Sequence, residues 1–175
     1  MDTENKLKEM RELELKLFVI EFNKASLLDR SFSKRNLSSE KKKEFRENLL
    51  DFSIYLMNKI DDNTLINSDI REKIQKLKAI DGNISFGQAQ KVINVVLKLY
   101  CFLTNKLSLI EELDCPLDST TMKGYKIPNA QMINVTEEDY LIYQKKFDSE
   151  YNGIRILKDA IYDENRINNF LTIKY

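Results

Sequence analysis

Apolar residues recur at three- and four-residue steps along most of this chain, a spacing that predicts helices rather than strands. A first helix is predicted over about 3–24, with Leu7, Met10, Leu13, Leu17 and Ile20 on an inward face that Phe18 and Phe22 widen. Residues 25–38 carry no apolar stripe and read as a polar loop. Ser38 or Ser39 then caps a second helix over about 39–60, with Phe45, Leu49, Phe52, Leu56 and Ile60 inward. A shorter helix over about 68–80 runs through Ile70, Ile74, Leu77 and Ile80. Asp81-Gly82-Asn83 is expected to stop it with a left-handed residue.

The strongest signal lies between Phe86 and Thr104. Ser85 and Gln88 form a capping box, and apolar side chains then occupy almost every angle of the helix. A helix apolar nearly all round belongs inside a core, and this one is too short and too interrupted to span a bilayer. From Asp114 to Val135 the periodicity dissolves, which predicts an exposed, adaptable loop of unusual length. Thr136 and Asp139 cap a last helix over about 137–163, its inward face running from Tyr140, Tyr143 and Phe147 to Ile161. Asn152 and Gly153 lie inside it and would bend or split it, since glycine disfavours a helix interior by ~1 kcal/mol relative to alanine. The tail 170–175 has strand-like composition and is expected to pair with 125–127.

The architecture that follows is all-α: a single-domain bundle of about five or six helices around a central helix at 86–104, with that minor two-stranded ribbon. Only four glycines and two prolines in 175 residues fit few tight turns, and 32% charged residues fit amphipathic helices with solvated faces. The formal net charge of zero gives no overall pull toward nucleic acid or an anionic membrane.

Histidine is absent, which removes His-containing zinc sites and every Ser-His or Cys-His nucleophile pair. Cys101 and Cys115 cannot complete a zinc site by themselves. With no basic-then-apolar opening of the export type, they read as reduced thiols in the cytoplasm. No phosphate-binding glycine loop or dinucleotide fingerprint occurs. The helix-turn-helix outline over 70–104 fails, because its second helix is too apolar to lie in a DNA groove.

Two groups of residues are candidates for binding. Arg30, Lys34, Arg35, Lys41, Lys42, Lys43 and Arg46 cluster against only Glu40 and Glu44. Lysines in a first helical turn oppose the helix dipole, and a basic loop entering a helix N-terminus is a plausible phosphate grip. The plainer reading is a solvated surface. On the central helix, Lys91, Asn94 and Lys98 continue from Gly87 at spacings of three and four. They line either a groove for an anionic ligand or a seam where lysine stems cross apolar neighbours to reach water. Asp114 and Asp118, beside Cys115 and three hydroxyls, resemble a divalent-metal site but are also ordinary turn chemistry.

These residues lead to the expectation of a non-enzymatic cytoplasmic binding module that engages another protein as adaptor, inhibitor or antitoxin-like partner. It needs no cofactor, metal or membrane, and the expectation leaves room for a homo-oligomer. Two alternatives stand beside it: nucleic-acid or phosphate binding through 30–46, and an enzyme using Asp114 and Asp118 with a divalent ion.

Overall fold

Ser85 opens the central helix as its sequence requires. The Ser85 Oγ accepts from the Gln88 N–H at 3.2 Å, while the Gln88 side chain accepts from the Ser85 N–H at 2.9 Å. The computed structural model describes residues 3–23, 37–123 and 131–174, which contain α-helices and 3₁₀ turns but no strand. In chain order the helices are α1 (Thr3–Asn23), α2 (Ser39–Asp61), α3 (Asn67–Ala79), α4 (Phe86–Thr104), α5 (Glu137–Glu150) and α6 (Leu157–Lys174). Two 3₁₀ segments, Leu107–Glu112 and Met132–Asn134, lie between α4 and α5. No described helix is long and apolar enough to cross a membrane.

α4 is the hub. It contacts α1, α2, α3, α5 and both 3₁₀ segments, and thirteen of its nineteen residues are buried. Val92, Ile93, Val96 and Leu97 point into one apolar cluster with Leu49, Leu56 and Ile60 of α2 and Ile70, Ile74 and Leu77 of α3. Tyr140 and Phe147 of α5 join the same cluster, and Phe86 meets Tyr140 edge-on with ring centroids 5.3 Å apart. The 3₁₀ turn Met132–Asn134 sits so close to Gly87 that a Cβ there would lie 1.7 Å from the Met132 carbonyl oxygen. Only a residue without a side chain permits that approach.

Helix ends follow local chemistry. Ser38 accepts from the Lys41 N–H at 3.2 Å and starts α2, and Thr136 with Asp139 forms the predicted box before α5. Asn63 and Asn105 take left-handed backbone just past α2 and at the C-cap of α4. Gly82 does not, contrary to expectation: the Asp81 carboxylate accepts from the Asn83 N–H at 2.8 Å and turns the chain without a left-handed residue. The predicted long last helix is broken. Asn152 and Gly153, at φ 52° and 88°, end α5 and let α6 start in a new direction.

Three further expectations are corrected. Residues 170–174 are helical, as the end of α6, so the strand-like composition there is overridden; 125–127, its expected mate, lies outside the described residues. The expected exposed loop over 114–135 is buried in its first part: Leu113, Asp114, Cys115, Pro116 and Leu117 are all buried, as are Thr121 and Met122. Ser119, Lys123, Gln131, Ile133 and Asn134 are exposed, and 124–130 lies outside the described residues. On α1 most of the anticipated inward stripe faces out. Leu7, Met10, Leu13 and Leu17 are 62%, 50%, 55% and 42% exposed, as is Phe18 at 60%, whereas Ile20 is buried as expected, together with Val19 and Lys16.

Candidate functional site

The polar edge of α4 that begins at Gly87 is a buried seam. Lys91 pairs with Asp118, and Lys98 pairs with Asp159 and, at 2.6 Å, with Asp163 of α6. Burial opposes the charge on Lys98, yet its two carboxylates outweigh that and hold its pKa above the ordinary value. Asp159 moves the other way: burial first, then Asp163 sharing the same lysine, push its carboxyl up. Asp118 is also desolvated, but Lys91 and the N–H groups of Thr121 and Thr120 hold it low.

Between these ion pairs, glutamines act as substitute backbone. Gln90 donates to the Leu117 carbonyl at 2.7 Å and accepts from the Leu117 N–H at 3.0 Å. Gln144 of α5 does the same for Cys115, at 2.7 and 2.9 Å. An irregular segment can be buried only if its N–H and C=O groups find partners, and these two side chains supply them. Asp114, 1% exposed, sits at the centre. It accepts from Tyr140 Oη at 2.7 Å, Arg155 Nε at 2.8 Å and Arg71 Nε at 3.3 Å. Tyr140 Oη in turn accepts from Asn94 Nδ2 at 2.9 Å. Burial, followed by the Asp114 charge, drives the Tyr140 pKa well up, so its phenol stays protonated.

The structure therefore brings Lys91, Asn94 and Lys98 together, but not around an open groove. Their ligands are the chain's own carboxylates and phenol, which corrects the anionic-ligand expectation for this edge. Asp114 and Asp118 are likewise engaged by different cations, and the described residues hold no group of three His, Cys, Asp or Glu arranged for a metal ion. Both cysteines are free and buried. Burial pushes the Cys101 thiol up to about 11 and Cys115 well above its ordinary value, so neither is a ready nucleophile.

Of the basic cluster, Arg30, Lys34 and Arg35 lie outside the described residues. Lys41, Lys42, Lys43 and Arg46 occupy the first two turns of α2, where Lys41 bonds Glu44 at 2.7 Å and Lys43 lies 3.7 Å from Glu47. Such exposed pairs within one helix contribute little to stability. Arg155 and Gln144 were not legible in the sequence as structural partners, whereas Gln90, beside the polar stripe of α4, was a polar group that needed one. A signal was present for Gln144, a polar residue at core spacing between Tyr140 and Phe147, but its partner lies 29 positions away.

Two open features remain at the surface near α1. One is a cleft of about 260 Å³ lined by Lys8, Arg11 and Glu12 of α1, Tyr100 and Leu103 of α4, and Lys106. At its base Asp61 accepts from Lys16 at 2.6 Å, from Lys106 at 2.8 Å and from Tyr100 Oη at 2.8 Å. Burial alone would raise the Asp61 carboxyl; hydrogen bonds from Lys106, Lys16 and Tyr100 outweigh it and hold it low. The other feature is the outer face of α1, with the exposed apolar side chains of Leu7, Met10, Leu13, Leu17 and Phe18. No family model matches the chain, and comparison with curated proteins and with solved structures gives no significant match.

Proposed function

We propose that the protein is a non-enzymatic helical binding module, cytoplasmic in setting, whose docking surface is the outer face of α1 and whose partner is a second copy of the same chain. The exposure of Leu7, Met10, Leu13 and Leu17 carries this reading. Spacings of three, three and four align them as a ridge, while the opposite side of α1 packs through Lys16 and Val19. A contiguous apolar ridge kept in water is a recognised mark of an interaction surface, and ridge-into-groove packing suits it to another helix.

Charges of both signs are mixed along α1, with Lys6, Lys8, Arg11 and Lys16 beside Glu4, Glu9, Glu12, Glu14 and Glu21, so no block of one sign repels a second copy. A two-fold, antiparallel pairing that sets Met10 against the partner copy's Leu17 brings the same apolar ridge of both chains into one contact. Self-complementary patches of this kind are what two-fold dimers require. With only one helix face involved, the contact falls in the small, weak class of interfaces. Two free, buried cysteines suit a reducing compartment.

Sedimentation velocity from low micromolar to near-millimolar protein tests the proposal. A reversible monomer–dimer equilibrium is expected, lost in Leu13→Glu/Leu17→Glu while the thermal unfolding transition stays in place. A chain that remains monomeric throughout, or a dimer indifferent to those substitutions, refutes it.

A further inference from the structure

The cleft of about 260 Å³ above Asp61 is built from α1 and the end of α4. α1 contributes Lys8, Arg11, Glu12 and Leu15, which stand at i, i+3, i+4 and i+7 and so share one face of the helix. That face is turned away from the one carrying Met10, Leu13 and Leu17. α4 contributes Tyr100 and Leu103, and the apolar Leu103 is 53% exposed there. The volume falls just below that of pockets for drug-sized ligands, which sets a small occupant.

The polar groups on the α4 side are already committed. Tyr100 Oη and the Lys106 ammonium both donate to the Asp61 carboxylate, each at 2.8 Å, and Thr104 Oγ1 donates to the Tyr100 carbonyl at 2.6 Å. Asp61 also holds Lys16, so the base of the cleft has two ammonium groups for one carboxylate and does not repel an anion. The α1 side differs. Among the described residues, the side chains of Lys8, Arg11 and Glu12 have no hydrogen-bond or ion-pair partner, and Glu12 reaches Tyr100 only as a charge at longer range. Lys8 and Glu12 lie one turn apart, but an exposed pair on one helix is weak and is readily exchanged for a ligand. Two cations against one carboxylate leave a single positive charge on this wall of the cleft.

We infer that this cleft binds a small monocarboxylate with an apolar body, its head held by Arg11 and Lys8 and its chain laid against Leu15, Leu103 and the Tyr100 ring. A guanidinium presents a planar fork that matches a carboxylate bidentately, and lysine adds a point charge. One net positive charge suits a monoanion better than a phosphate dianion. The apolar body covers leucine surface that otherwise stays in water. The site needs no second copy of the chain and uses none of the four residues of the dimer ridge.

Titration of the full chain with octanoate, followed by calorimetry and by amide chemical shifts, tests the inference, with acetate and 1-octanol as partial ligands. Octanoate is expected to saturate, with shifts centred on 8–15 and 100–106. Acetate, which lacks the apolar body, and 1-octanol, which lacks the charge, should both bind more weakly. Lys8→Gln/Arg11→Gln should weaken octanoate binding by roughly tenfold or more. Leu103→Gln should weaken it by a smaller factor, and Glu12→Gln, which removes the opposing charge, should strengthen it. Absence of saturable octanoate binding overturns the inference. Equal affinity in the Lys8/Arg11 variant does so too, as does acetate or 1-octanol binding as tightly as octanoate. Octanoate binding and sedimentation read different faces of α1, so failure here is distinguishable from failure of the dimer.

Discussion

On α4, the most apolar helix of the molecule, Lys98 is only 4% exposed; on the highly charged α1, Leu7 is 62% exposed. Each helix thus places one class of side chain against its hydropathy, and the reason is the same for both. A side chain goes inside when the rest of the chain offers it a partner. For Lys98 that partner is the Asp159–Asp163 pair on α6, and for Lys91 it is Asp118. For α1 the decisive partner is Asp61, which takes Lys16 at 2.6 Å while Asn58 takes it at 2.8 Å. With Lys16 anchored there, Val19 and Ile20 rotate into the core and the leucine stripe rotates out.

Removing the centre of the α4 seam should have the largest effect. Asp114→Ala leaves Arg155 and Tyr140 without their shared acceptor in a buried site, and a loss of about 4 kcal/mol in urea unfolding is expected. A loss below ~1 kcal/mol would mean that water replaces the carboxylate and that the seam is not a desolvated structural element. Lys98→Met should follow at about 3 kcal/mol, because it leaves the buried Asp159 beside the half-buried Asp163 with no shared cation. Asp159→Asn should be far milder, since Asp163 still neutralises the lysine.

Gly87→Ala tests packing instead of charge. Its Cβ would collide with backbone at Met132, so about 2 kcal/mol of destabilisation is expected, with amide shifts centred on 132–135. A neutral result would show that the 3₁₀ turn is free to lift away from α4.

Acid should act on both halves of the comparison. Asp61 at the α1 anchor and Asp118 at the seam have folded pKa values below the ordinary range. Their contribution to stability is therefore complete above the unfolded pKa near ~4 and disappears as pH falls through the lower folded values. Asp159, held high, has the opposite sign: its contribution favours folding at low pH and declines as pH rises through its raised value. Urea midpoints measured from neutrality downward should hold to about pH 4 and drop below it, with a steeper drop in Asp159→Asn. A midpoint that is flat to the lowest pH would contradict the assigned ion pairs.

The smallest effect is expected on α1. Leu7→Gln, on a side chain already in water, should change the stability of the monomer by less than about 0.5 kcal/mol. A large loss would show the ridge to be covered within the chain.

Much of the scaffold could be read directly from residue order. Capping boxes at Ser85–Gln88 and Thr136–Asp139, the cap at Ser38 and the core role of 86–104 depend on neighbours within one turn, and all stand as read. Breakage at Asn152 and Gly153 was also legible, though not the full length of α6. The remainder was decided between elements distant in sequence. Which face of α1 turns inward depends on Asp61; whether 113–117 is loop or core depends on Gln90, Gln144 and Arg155; and which lysines of α4 are open to a ligand depends on carboxylates 27 to 65 positions away. Local order in the sequence determines where a helix can begin and which helix is most apolar, because caps and hydropathy act over a few residues. Only the folded chain determines how each helix is rotated and which charges are matched, because desolvation and pairing depend on what tertiary packing brings within a few ångströms.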